Sequence, residues 1–231
     1  MRVLVPLPDR DFDPTEVSVP WRALTSAGHD VTFATEKGAR AACDPFMLTG
    51  VILGKMGALP ENVALYHELE RDDAFARPIA YDAIVPSDYA LFMLPGGHAK
   101  GMRQYLESSV LADRVRAFVG SARPVGAICH GVVALARSGA VKGRTLTSLP
   151  KWMERSAYFL TAWKMGDYYR TYPEYVEDEV RRVTGGFLRG PLSADYAHPF
   201  VVEDGVLVTA RWPGDARAFG ERCAAALARA T

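Results

Sequence analysis

Residues 124–139 read PVGAICHGVVALARSG. A near-continuous apolar run, Val125 to Ile128, climbs to Cys129, meets His130 and Gly131, and passes into a helical pattern that closes at Gly139. Because the run is apolar at every position rather than at alternate ones, it predicts a strand buried on both faces, as in a parallel sheet covered by helices. Gly139 suits the C-terminal cap of the helix that follows. The same alternation extends outward in both directions. RVLVPLP (2–8) predicts a first strand, DPTEVSVPWRALTSAG (13–28) a helix, HDVTFAT (29–35) a second strand and DYALFMLPGG (88–97) a third. KGMRQYLES (100–108) and SVLADRVRAFVGSA (109–122) read as helices, the second with Leu111, Val115, Phe118 and Val119 on one face. RTLTSL (144–149) reads as a short strand, and FVVEDGVLVTARW (200–212) as a hairpin turning at Asp204-Gly205. The alanine-rich end of the chain reads as a helix in which Cys223 is a spectator. Strands alternating with helices imply an α/β fold with a mostly parallel central sheet and helices on both faces.

The chain has 231 residues, 49% hydrophobic and 23% charged, an ordinary globular mixture that argues against disorder. Without internal repeats or a low-complexity linker, it is expected to be a single domain over 1–231, with an insertion at about 150–195. Lys+Arg and Asp+Glu are 27 each, so no basic surface points to nucleic acid or an anionic membrane. No apolar run approaches the ~18 residues of a spanning helix, and the run in MRVLVPLPDR is too short for a signal peptide. Three widely separated cysteines, Cys43, Cys129 and Cys223, then suit free thiols in a reducing cytoplasm. His29, His67, His98, His130 and His198 are scattered, and no Cys/His spacing suggests zinc, so neither metal nor cofactor is expected. Two segments fit the alternation poorly. Residues 36–65 show no sustained period and read as a loop with a small hairpin. The stretch 152–175 carries eight of the 24 aromatic residues and reads either as a helix pair packed on the core or a dimer partner, or as a lid over a pocket.

In open parallel sheets, ligands bind at the carboxyl ends of strands, and Cys129 lies at one. The pattern Ala127-x-Cys129-x-Gly131 parallels the G-x-S-x-G turn that displays a nucleophile between strand and helix, where small neighbours accommodate a strained backbone. A helix N-terminus at that point favours a thiolate and an adjacent oxyanion. Gly96-Gly97, ending another strand, would let backbone N–H groups approach a ligand closely. Asp13, Pro14 and Glu16 read as a capping box at the start of the first helix. Pro20, lacking an N–H for the carbonyl of Glu16, makes that helix irregular where it starts, so Glu16 could face the same crevice as Cys129.

Together, Glu16 after the first strand, LPGGHAKGM (94–102) and AICHG (127–131) resemble the ThiJ/PfpI superfamily, whose fold is similar to the class I glutamine amidotransferase domain. The resemblance runs from residue 1 to about 150 and resumes at VVEDGVLVTARWPGDA (201–216). It implies a flavodoxin-like three-layer sandwich with Cys129 as the reactive thiol and a nucleophile elbow there. It also implies that Glu16 is a protonated carboxyl hydrogen-bonded to Cys129, and that Gly96, Gly97 and the His130 backbone N–H form an oxyanion hole. In the glyoxalase and chaperone branch, His130 would act with a following acid. Glu154 stands at a matching offset, with Asp167 and Glu174 as competitors. A homodimer is implied at family level.

These features allow three functions. The first is a cofactor-independent cysteine enzyme acting on a small reactive carbonyl, resembling glyoxalase III, D-lactate dehydratase or a deglycase. The second is a cysteine amidase or peptidase with Cys129, His130 and Glu154 as a triad. The third is an oxidation sensor or holding chaperone without turnover, since a thiol beside a carboxyl readily forms a sulfinate. The expected partner is thus a small carbonyl or amide substrate, not nucleic acid or membrane.

Overall fold

A computed structural model describes residues 1–229. Its core is a seven-stranded sheet built from β1 (Arg2–Pro6), β2 (Asp30–Thr35), β3 (Ile79–Ala80), β4 (Leu91–Leu94), β5 (Val125–Ile128), β6 (Val201–Asp204) and β7 (Leu207–Ala210). The strand order is β6-β7-β5-β4-β1-β2-β3. Every pairing is parallel except β6 with β7, which closes the predicted hairpin at one edge. β4 and β5 are buried at every residue, as their uninterrupted apolar sequences require.

Helices cover both faces. On one side α1 (Pro14–Ser26) packs against α2 (Pro60–Leu69) and the C-terminal α7 (Ala216–Arg229). Gly220 of α7 sits directly on α1, where a Cβ would stand 2.8 Å from Pro20 Cα. On the other side lie α3 (Ser109–Gly120), α4 (Gly131–Arg137) and α6 (Val176–Val183). Leu111, Val115 and Phe118 of α3 are buried, and Val119 is half-buried beside them. Cys223 is a core residue under β5.

Two expectations change. The small hairpin expected in 36–65 is present, where Ile52 and Lys55 bridge antiparallel, but the rest of the segment is more regular than a loop: Ala42–Cys43 pairs in parallel with Arg10–Phe12, a one-turn helix spans Pro45–Thr49, and α2 begins at Pro60. α2 buries only Tyr66 and Leu69, so its sequence carries too little apolar periodicity to announce it. The short strand expected in 144–149 forms at Thr145–Leu146, in a separate parallel ribbon with Gly186–Phe187. The capping box is half formed. Asp13 accepts from the N–H groups of Thr15 and Glu16 at 2.8 and 3.2 Å, but its own N–H donates to the Gly96 carbonyl at 2.9 Å, not to Glu16. No helix among the described residues is long and apolar enough to cross a membrane.

Candidate active site

The carboxyl ends of β1, β4 and β5 converge on one point. Cys129 follows β5 directly and has φ +57°, the left-handed region that a side chain other than glycine adopts only at a cost of roughly 1–3 kcal/mol. Its N–H donates to the Ala210 carbonyl at 3.1 Å, which fixes the turn to β7. Gly131 then starts α4 against the end of β4, where a Cβ would stand 2.1 Å from the Leu94 carbonyl oxygen. Any side chain there would push the helix N-terminus away from the strand.

Gly96 is equally confined. A Cβ on it would stand 2.7 Å from Glu16 Oε2, 2.8 Å from His130 N and 2.9 Å from Cys129 Cβ, so this one glycine keeps the three site groups together. The Gly96 N–H donates to Glu16 Oε2 at 2.9 Å, which clamps the carboxyl from α1 onto the end of β4. Glu16 is fully buried, and that burial, followed by the nearby Asp13, raises its pKa well above the usual carboxylate range. Hydrogen bonding to the Cys129 thiol and to the Gly96 N–H pulls it back only in part, so the site favours the protonated carboxyl. Burial likewise pushes the Cys129 thiol up, with Glu16 and Asp13 adding to it and the His130 N–H opposing it. Gly97 has φ +154° and lies on the Asp11 carbonyl. Among the described residues its N–H has no hydrogen-bond partner, and it borders the same cavity as the thiol.

His130 Nδ1 lies 3.6 Å from Cys129 Sγ, and its Nε2 lies 3.1 Å from Thr171 Oγ1. The Thr171 hydroxyl donates its single proton to the His98 carbonyl, so toward His130 it can only accept. That network places the ring proton on Nε2 and turns the Nδ1 lone pair to the thiol. Burial holds His130 down to about 3, so the imidazole is neutral. Thr171 is itself anchored by Arg103 Nε, which donates to its carbonyl at 2.7 Å.

The acid expected beside His130 is thus replaced by a threonine hydroxyl. Among the described residues no carboxylate hydrogen-bonds the ring. Asp167 is an exposed partner of Lys100, and Glu174 an exposed partner of Arg182. Glu154 is buried and accepts from the Val176 N–H at 3.1 Å; burial raises it to about 7. Glu154, Cys129, Glu16 and Gly97 nevertheless border one cavity of about 350 Å³. Its walls are mostly apolar. Helix α5 (Lys151–Met165) contributes Trp152, Met153 and Ala157, Met47 and Met56 close another side, and Tyr196 and Trp212 a third. One face of α5 therefore lines the cavity that the thiol borders, while Phe159 and Trp163 on the same helix are exposed. His98 stacks on Tyr169 with ring centroids 4.2 Å apart and planes at 13°.

A second device holds the Trp212 wall. Arg211 and Asp215 are both fully buried and pair at 2.8 and 2.9 Å through two nitrogens, and Asp215 also accepts from the N–H groups of Phe200 and Arg211. The motif reading missed this pair and Thr171. Among the described residues no group of three or more His, Cys, Asp or Glu is placed to hold a metal ion.

The ThiJ/PfpI family-like sequence profile matches residues 7–181, most of the chain, including Glu16, Gly96, Gly97, Cys129 and His130. The chain belongs to the ThiJ/PfpI family. Within it, a deglycase of Pyrococcus abyssi is 30% identical over 150 residues, 65% of this chain and 73% of that protein. An uncharacterized protein of Schizosaccharomyces pombe is 28% identical over 180 residues, 74% of this chain and 67% of the yeast one. The crystal structure of glyoxalase III from Candida albicans superposes with a TM-score of 0.74 at 18% identity, covering 98% of this chain and 97% of that one. At that identity the likeness speaks for the ThiJ/PfpI fold, a flavodoxin-like sandwich, rather than for chemistry.

Proposed function

We propose that this ThiJ/PfpI protein is a cofactor-independent cysteine enzyme that converts a small 2-oxoaldehyde into the corresponding 2-hydroxy acid. The observation that carries the reading is the pairing of Cys129, on its left-handed turn, with the unprotonated Nδ1 of His130, beside a carboxyl whose protonated form burial favours. The names of its relatives, deglycase and glyoxalase III, support chemistry on reactive carbonyls.

In this mechanism Sγ attacks the aldehyde carbon while its proton passes through His130 Nδ1 to the carbonyl oxygen, forming a hemithioacetal. The Gly97 and His130 N–H groups hold the oxygen as charge develops. His130 Nδ1 then removes the proton on that carbon as Glu16 protonates the neighbouring ketone oxygen, giving an enediol. The imidazolium returns its proton to the second carbon, and Glu16 recovers one from the first hydroxyl. The first carbon is thereby oxidised to a thioester and the second reduced to an alcohol. Water hydrolyses the thioester and restores the thiol.

The test is incubation of the purified protein with methylglyoxal and enzymatic assay of lactate. The wild type is expected to produce lactate, Cys129→Ala none, and Cys223→Ala as much as the wild type. Equal yields from wild type and Cys129→Ala would refute it.

A further inference from the structure

The cavity beside Cys129 measures about 350 Å³, more than a three-carbon oxoaldehyde needs, since about 150 Å³ of apolar space already takes a benzene ring. Met47, Leu149, Met153, Ala157, Leu160 and Pro213 border it, and none of these side chains carries a donor or a strong acceptor. Trp152 and Trp212 border it too. Both indole Nε1 atoms are buried without accessible surface, so these half-buried rings can offer the cavity only carbon. The apolar character continues to the surface. Met56, Leu160 and Tyr196 border the cavity and are exposed, and Phe159 and Trp163 are exposed beside Leu160 on α5.

Charge narrows the ligand further. No Lys or Arg among the described residues borders the cavity, whereas Asp13, Glu16 and Glu154 do. His98 brings no positive charge, because burial holds it down to about 3. Lys151 and Arg170, whose charge is felt at Glu154, are engaged elsewhere: Lys151 pairs with Asp178 at 2.6 Å, and Arg170 donates to the Pro173 carbonyl. A carboxylate or phosphate on the substrate would therefore lose its water and find no cation in its place. An ammonium group gains little, since the free oxygen of Glu154 is buried out of reach and burial favours the protonated form of Glu16. Neutral carbon meets neither penalty, and the walls are made to receive it.

We propose that the preferred substrate carries an uncharged apolar substituent, aryl or alkyl, on its oxoaldehyde group, received by the wall of Trp152, Trp212, Met153, Ala157 and Leu160. This rests on the reading of Cys129 as the group that meets the carbonyl. Each methylene buried against that wall is worth roughly fourfold in binding, so a substituent of a few carbons outweighs the methyl group of methylglyoxal.

The experiment compares p-tolylglyoxal with p-carboxyphenylglyoxal, similar in shape and different in charge, in wild type, Leu160→Lys and Leu160→Glu, following the hydroxy acid formed by chromatography. The wild type is expected to favour the tolyl compound in kcat/KM by about tenfold or more, mostly through KM. Leu160 is 65% exposed, so both variants should fold, and effects common to the two compounds cancel in the ratio. Leu160→Lys should lower that ratio about threefold or more, and Leu160→Glu should raise it by about the same factor. Equal use of the two compounds by the wild type, or a ratio that both variants leave unchanged, would overturn the proposal. Binding separates it from the parent reading, because it needs no turnover. In NMR titrations of Cys129→Ala, p-methylacetophenone should bind about tenfold tighter than p-acetylbenzoate, both of which lack the aldehyde. If neither glyoxal is turned over but this preference appears, the reading of Cys129 fails and the apolar site stands. If turnover occurs but the two ketones bind alike, the apolar site fails alone.

Discussion

Glu154→Gln should stabilise the protein, and only above mildly acidic pH. Burial raises Glu154 from 4.5 to about 7, with Asp178 adding to it and the Val176 N–H, Arg170 and Lys151 opposing it. Below pH 4.5 the carboxyl is protonated in folded and unfolded chains alike, so it carries no ionisation penalty. Between 4.5 and about 7 the unfolded chain ionises and the folded one does not, so stability falls as the pH rises. Above about 7 the loss is complete. At roughly 1.4 kcal/mol per pH unit it amounts to about 3 kcal/mol. Glutamine is neutral at every pH and keeps an oxygen for the Val176 N–H, so the variant escapes the penalty. Unfolding would be followed by urea titration and by thermal melts at pH 4 and pH 8. The variant should gain about 3 kcal/mol relative to wild type on going from pH 4 to pH 8, roughly 6–12 °C in melting temperature for a chain of this size. A gap that is the same at both pH values would refute the reasoning, because it would mean that Glu154 ionises alike in the folded and unfolded chains.

Three further outcomes follow from the geometry. Thr171→Val removes the acceptor for His130 Nε2–H and should lower kcat/KM roughly ten- to a hundredfold, with Thr171→Ser restoring it, read by steady-state kinetics on methylglyoxal. Gly96→Ala drives a methyl group into Glu16, His130 and Cys129, and should cost about a hundredfold or more in kcat while the circular dichroism spectrum stays that of a folded protein. Arg211→Met leaves Asp215 charged and unpaired in the core and should destabilise by about 3–5 kcal/mol in urea titrations; Arg211→Met/Asp215→Leu should recover part of this.

Local pattern carried much of the fold. β4 and β5 are apolar throughout because both their faces are covered, and that property is written in consecutive residues. Cys129, Gly96-Gly97 and Glu16 could be found separately because each follows a strand, and a parallel sheet gathers strand ends. Thr171 could not be found so. Its role depends on how a loop after α5 folds back beside α4, where Arg103 holds its carbonyl, and nothing next to it in the chain signals this. Glu154 shows the reverse difficulty. Its offset from the strand opening at Lys142-Gly143 was legible, but the direction of its side chain is set by the N-terminus of α6 at Val176. The Arg211–Asp215 pair is four residues apart in sequence, yet its meaning lies in burial, which spacing does not record.

The account stands most directly on lactate formation from methylglyoxal by the wild type, Cys129→Ala and Glu16→Gln side by side. Turnover by the wild type, none by Cys129→Ala, and a loss of about a hundredfold or more in Glu16→Gln, which keeps the shape and neutrality of the carboxyl but cannot pass a proton, is the predicted result. Full activity in Cys129→Ala would contradict it.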